Sequence, residues 1–353
     1  MIEVFTDKTS WANELASAKN SDFYHTYDYH HLSKNKGEHP VLLKYIQGKS
    51  SVILPLLIRD IPNSIYKDAT SVYGYAGPLI NNKCETFDTA HFHKELNNYF
   101  FSENIVSLFS RLHPFFGEEQ SLFSGIGQTI PLGNVVYIDL GNSLEIQRAK
   151  YNRRLKTYIN KSKKSCSVIT GDVTKHLQIF VDLYYDNMRR VNAEESYFFP
   201  LDYFKKIFSS DDLNSELLLC VNNETQEIIG GAIFIKTKDI VQYHLSGMNA
   251  DYSHLNPIKL IIDTMRIKAS EQGYKYLNLG GGKGSNEDSL FRFKSSFSKD
   301  FQTFKIWKHI VDEDIYEKLT LQNLPGQAAV IQEKISFFPA YRYKAKRVQL
   351  ESE

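Results

Sequence analysis

Apolar runs in this chain are short, and they are ordered so that antiparallel pairs lead into a strand–helix–strand crossover, once in each half. Val41 to Gln47 and Val52 to Ile58 flank Gly48-Lys49-Ser50-Ser51, which reads as a hairpin. Ser71 to Leu79 reads as a strand entering a Gly/Pro turn, Phe87 to Phe101 as a helix, and Ile105 to Phe109 and Val135 to Leu140 as strands. A helix is expected from Ser143, then helices over Lys175 to Val191 and Tyr203 to Phe208. Strands follow at Leu217 to Val221, Ile228 to Ile235 and Ile240 to Gly247, then a helix over Pro257 to Gln272. Lys275 to Leu279 and Phe301 to Val311 complete the set. Such alternation excludes a helical bundle and a β-sandwich and predicts an α/β chain of mixed (α+β) sheets. At 353 residues two domains are expected, 1–141 and 142–353, with the boundary near Gly141.

Charge narrows the partners. Lys plus Arg number 42 against 41 Asp plus Glu, a net +1, which speaks against a dedicated nucleic-acid binder and against an acidic disordered chain. One stretch breaks the balance: Arg148 to Lys164 holds eight cations and no acid. It reads as a solvated helix face, or as a contact for phosphates, for tRNA or for an anionic membrane. No apolar run approaches the ~18 residues of a membrane span. The first residues lack the apolar core of a signal peptide. Cys84, Cys166 and Cys220 are too scattered for a metal site or a disulfide framework, so reduced thiols and a cytoplasmic location are expected. The pairs His91/His93 and His30/His31 lack further ligands at useful spacing, and no metal is expected.

The chemistry concentrates between Ile240 and Lys294. Strict alternation puts Val241, Tyr243 and Leu245 on one face of the strand and Gln242, His244 and Ser246 on the other. Asn256 is placed as the N-cap, with Pro257 opening the helix. The helix start, with Lys259 beside it, suits a phosphate, although an ordinary capped helix reads the same way. Gly280-Gly281-Gly282-Lys283-Gly284-Ser285 fits neither a P-loop nor a dinucleotide fingerprint. Three glycines in a row point to ligand approach rather than to a turn alone.

Several segments, taken in order, resemble the tandem GNAT acyltransferases related to the Fem-type peptidoglycan aminoacyltransferases. They are Tyr73-Gly74-Tyr75-Ala76-Gly77-Pro78-Leu79, Arg111-Leu112-His113-Pro114, Val136 to Leu140, Tyr243 to Gly247, Leu279 to Gly284, Asp288 to Lys294 and Phe337 to Arg342. The resemblance implies two tandem GNAT-like domains. It also implies an acyl carrier, coenzyme A thioester, lying between Ile240–Gly247 and Lys275–Leu279. On that footing Ser246, Gly247, Met248, Asn256, Lys259 and Leu279 would hold the carrier. The loop 249–256 departs from the usual GNAT phosphate loop in having no glycine.

Acyl transfer to an amine needs a base, an oxyanion partner and a proton for the leaving group. His244 is the expected base, since imidazole changes charge near neutrality. A satisfied sheet histidine is the plain alternative. Tyr243 is the expected proton donor and Asp288 a reserve. Arg189, Tyr197, Gly280, Gly281, Gly282, Lys283, Arg292 and Lys294 are expected to hold the acceptor, though Arg189 also suits a helix end and Tyr197 a core. The leading expectation is an acyl-CoA-dependent N-acyltransferase acting on a nucleotide-linked amino sugar, such as a dTDP-3-amino-3,6-dideoxyhexose, for surface polysaccharide or lipopolysaccharide synthesis. Near-neutral charge favours a small anionic substrate over tRNA. The alternative is a Fem-type enzyme that moves an amino acid from aminoacyl-tRNA to a peptidoglycan precursor; the lack of a heptad hairpin counts against it. A binding protein without turnover is a third class.

Overall fold

A computed structural model describes residues 1–82, 85–117, 121–323 and 337–343, so Cys84 lies outside the described residues. In chain order the elements begin with β1 (Ile2–Phe5), α1 (Lys8–Ala16), α2 (Tyr27–Ser33), β2 (Glu38–Gln47) and β3 (Ser50–Asp60). Next come β4 (Lys67–Thr70), β5 (Leu79–Asn81), α3 (Thr89–Ser102), β6 (Ile105–Arg111) and β7 (Gln128–Asp139). Then follow α4 (Leu144–Ala149), α5 (Arg153–Ser165), β8 (Cys166–Thr170), α6 (Val173–Arg190) and α7 (Leu201–Ser209). The last are β9 (Asn214–Asn222), β10 (Ile228–Thr237), β11 (Ile240–Met248), α8 (Pro257–Glu271), β12 (Tyr276–Gly280), α9 (Ser289–Lys294), β13 (Asp300–Ile310) and α10 (Glu313–Asn323).

Two compact units result, and both are discontinuous. The first comprises 1–19, 33–130 and 305–353; the second comprises 20–32 and 131–304. The boundary expected at Gly141 falls inside the second unit, just past β7. In that unit Asp22 Oδ1 accepts from Thr237 Oγ1 at 2.6 Å, and Asp28 Oδ2 accepts from Ser210 Oγ at 2.6 Å. These side chains tie the early segment to β10 and to the end of α7.

In the first unit the sheet order is β1-β2-β3-β4-β6-β13, with β5 on β3. The β2–β3 hairpin closes over two residues, since Gln47 pairs with Ser50, and Gly48 takes φ +59. A two-residue turn needs such left-handed residues, which glycine supplies without steric cost. The expected strand over Ser71 to Leu79 is mostly loop, between β4 and β5. Phe123 stacks on Trp307 at 3.6 Å inside the core.

In the second unit the order is β7-β12-β11-β10-β9-β8. Only β11 and β12 run parallel, and α8 crosses between them. The apolar face of α8, with Ile258, Ile261, Ile262, Met265 and Ala269, packs with Val136, Ile138, Val241, Leu277 and Leu279. α6 covers the opposite face of the sheet, where Gly247 and Gly231 leave room for Leu183 and Phe180. The single helix expected from Ser143 is two helices, broken at 150–152. Cys166 and Cys220 are buried free thiols. Among the described residues no helix is long and apolar enough to cross a membrane.

Candidate active site

β11 and β12 pair over only three positions, Ile240↔Tyr276, Val241↔Leu277 and Gln242↔Asn278. Beyond Gln242 the parallel pairing stops. At the same point β11 carries a bulge against β10: Ile233 pairs with Leu245 and Phe234 with Tyr243, leaving His244 outside the ladder. A bulge inserts one residue and shifts the alternation by one. Ser246 therefore joins Tyr243, whose hydroxyl it meets in a very short hydrogen bond, rather than joining His244 as strict alternation predicts.

Tyr243 and His244, expected as proton donor and base, face opposite sides of the sheet. Tyr243 packs on Phe234 and the core beneath α8. Burial pushes its phenol up to about 12. His244 points elsewhere: its Nε2 lies 3.0 Å from Tyr203 Oη, and its ring meets Phe23 and Tyr29 edge-on. Burial pulls its imidazole down to about 4, so it is neutral at pH 7.

On the face of β11 that carries Gln242, Lys294 reaches the end of β12. Its Nζ donates to Gly281 O at 2.7 Å and would stand 3.3 Å from a Cβ on Gly280. Gln242 Nε2 stands 4.0 Å from the same point. Only 9% of Lys294 is exposed, and burial lowers its ammonium to about 8. Gln242 donates to Tyr243 O, and Asn278 Oδ1 accepts from Gly280 N, while Gln242 Oε1 and Asn278 Nδ2 make no hydrogen bond. A buried amine beside buried amide side chains is the strongest polar concentration on this side of the sheet. Lys294 was expected from sequence; Gln242 was read only as part of a polar row, and Asn278 gave no signal because its strand is otherwise apolar.

The glycine run has structural work of its own. Gly280 takes φ +75, a Cβ on Gly281 would meet Asn134 O at 2.9 Å, and one on Gly282 would meet Asn286 O at 2.0 Å. The chain itself requires all three, contrary to the expectation that a turn would not. Asp288 caps α9: Oδ1 accepts from Phe291 N and Oδ2 from Lys283 N, and these bonds hold its carboxyl below the usual range against the opposing effect of burial. Its lone pairs thus fix the loop, and Lys283 and Arg292 lie exposed around it.

Other expected residues are dispersed. Arg189 is exposed and pairs with Asp186 at 2.7 Å, three residues back on α6, as a helix-end cation does. Tyr197 takes part through its backbone, its carbonyl accepting from Tyr184 Oη at 2.7 Å. Leu279 is core, Gly247 seats α6, and Met248 lies half-buried against the core. Asn256 does occupy the N-cap of α8, but in the left-handed region (φ 54) and without a side-chain capping bond. Its Oδ1 accepts from Lys259 Nζ, which stands 4.6 Å over the Tyr158 ring.

A two-domain, GNAT-like arrangement is thus the class that these units define: a mixed sheet in each, with a bulged strand and a splayed parallel pair in the second. Within that class the fold is Fem-related. The FemAB family model matches residues 216–304, the stretch from β9 into β13. The structure of FemX is similar over 90% of this chain and 99% of its own, at 12% identity and TM-score 0.69. A conserved protein of unknown function from Bacteroides thetaiotaomicron aligns over 88% and 100% at 10% identity and TM-score 0.58. The C-terminal domain of a putative lysylphosphatidylglycerol synthetase from Agrobacterium fabrum aligns over 85% and 91% at 15% identity and TM-score 0.54. Comparison with curated proteins gives no match.

These findings correct the leading functional expectation. The family model covering the splayed strands, the glycine turn and Lys294 is FemAB, so the reading as an acyl-CoA-dependent amino-sugar acyltransferase gives way to its alternative.

Proposed function

We propose that this chain is a Fem-type aminoacyltransferase, moving an amino acid from aminoacyl-tRNA to an amine of a peptidoglycan precursor. The observation that carries the reading is the FemAB match at 216–304, which contains the bulge at His244, the Gln242–Asn278 pair, the glycine turn and Lys294.

In the proposed step the amine attacks the aminoacyl ester carbonyl. A C–N bond forms, the C–O bond to the ribose breaks, and the ribose oxygen takes a proton. The bulge supplies a backbone N–H outside the ladder for the oxyanion. Lys294, charged and poorly hydrated, adds positive charge near the splay. His244, held neutral by burial, accepts the amine's proton.

The test follows label from charged tRNA. Purified protein is mixed with tRNAs carrying radiolabelled amino acids and a soluble nucleotide-linked precursor, and the label is sought in an amide. Amide label that needs both partners supports the reading. Label that remains on every charged tRNA, with acyl-CoA consumed instead, overturns it.

A further inference from the structure

The most unbalanced surface of the second unit lies on α5. Leu155, Ile159 and Ser162 face the core. Arg153, Arg154, Thr157, Tyr158, Lys161 and Lys164 are exposed on the other side, at helical spacing. Neighbouring cations have partners: Lys163 pairs with Asp263 at 2.9 Å and Lys150 with Asp300 at 2.5 Å. Among the described residues no carboxylate stands within ion-pair distance of Arg153, Arg154, Lys161 or Lys164. Arg153, Arg154, Thr157 and Tyr158 line a hollow of about 400 Å³. Tyr158, 39% exposed, sits in it with Lys259 against its ring.

This surface has the features of a single-strand nucleic-acid track. Four cations without acidic partners run along about 15 Å of helix, the rise of about four stacked nucleotides. An exposed ring among them offers a stacking platform for any base. An anionic membrane is the poorer match, because a membrane-surface helix turns a broad apolar face outward. Here the apolar side of α5 is in the core and Tyr158 is the sole large apolar side chain on the exposed side.

We infer that the exposed face of α5, with Lys259, binds the sugar-phosphate backbone of the acceptor end of the aminoacyl-tRNA, and that Tyr158 stacks on one of its bases. The inference rests on the proposed function for the identity of the nucleic acid. It adds the docking surface, which is separate from the residues assigned to the chemistry.

The experiment uses the full chain and a fluorescent acceptor-stem RNA minihelix with its single-stranded 3′ tail, read by anisotropy at 50–200 mM salt. Arg153→Gln with Arg154→Gln is expected to weaken binding about ten-fold or more at low salt and to reduce the salt slope by about 2, one per cation. Tyr158→Ala is expected to weaken binding about ten-fold with the salt slope unchanged. Lys205→Glu on α7 is the charge control and should bind as wild type. All replaced side chains are exposed, so circular dichroism melts should be unchanged.

Wild-type affinity in all the α5 variants, alongside normal transfer from aminoacyl-tRNA, overturns this surface and leaves the proposed function standing. No binding of the minihelix by the wild type overturns the surface; if transfer from aminoacyl-tRNA is also absent, the function falls with it. Variants that lose binding to phosphatidylglycerol vesicles while keeping RNA affinity overturn the inference in favour of a membrane.

Discussion

Lys294 Nζ is held 2.7 Å from the carbonyl of Gly281, at a turn whose preceding residue, Gly280, takes φ +75 and would place a Cβ 3.3 Å from that amine. The cation is buried and kept beside the end of β12.

Lys294→Met is expected to lower transfer by about a hundred-fold or more, the scale seen when one oxyanion partner is lost. Because burial brings the ammonium to about 8, wild-type activity should also fall as pH rises through that value. Steady-state rates from pH 6 to 10 check both. A Met variant within threefold of wild type removes Lys294 from the chemistry.

His244→Asn is expected to reduce kcat by about 10²–10⁴-fold if His244 takes the amine's proton. Tyr203→Phe should have a smaller effect, through ring placement alone. Equal losses for both variants would instead make His244 a member of the aromatic cluster and nothing more.

Acid should loosen the fold over a defined window. His244 and His309 are pulled from 6.5 to about 4, and His30 to about 3, in each case chiefly by burial. Between those values and 6.5 the unfolded chain binds more protons than the folded one. Stability is therefore complete above about 6.5 and falls as pH drops towards 4. Urea midpoints at pH 7.5, 6 and 5 should decrease in that order, and His309→Gln should shrink the decrease. Equal midpoints would refute the burial argument.

Asp263 is wholly buried on α8 among Arg266 at 3.0 Å, Lys163 at 2.9 Å and the Tyr151 hydroxyl at 3.1 Å. Asp263→Ala leaves these groups uncompensated and should cost about 3–5 kcal/mol, read by chemical denaturation. A cost below about 1 kcal/mol would mean that solvent already screens the cluster.

Asp288→Asn and Asp288→Ala separate capping from catalysis. Asn keeps an acceptor for Phe291 N, while Ala should cost about 1 kcal/mol. Full activity in the Asn variant would confine Asp288 to the loop.

Much of this was legible in the sequence, for physical reasons. Long apolar periods marked α6 and α8 to within two residues, because burying a helix face demands them. β1 and β8 carry mixed patterns and gave no signal. Their position at the ends of the strand order relaxes the alternation that central strands need. The site was half visible. Lys294 was singled out in the sequence and lies buried beside the end of β12, but the bulge at His244 carries no sequence mark, and a one-residue slip reverses every later side chain. That is why Ser246 was placed with His244. Asp288 and the glycine run, singled out for a ligand, have structural work in the loop that the sequence did not show.

The division of the chain into two interrupted units bears on how it is made. The first unit needs β13, and that strand leaves the ribosome only after everything from 131 to 304. At ordinary elongation rates the incomplete sheet waits on the order of ten to thirty seconds with the edge of β6 open. The second unit, in turn, begins with 20–32, translated long before the rest of it. The second unit is complete at 304, before the first, and a fragment cut at 141 would leave both without parts they need.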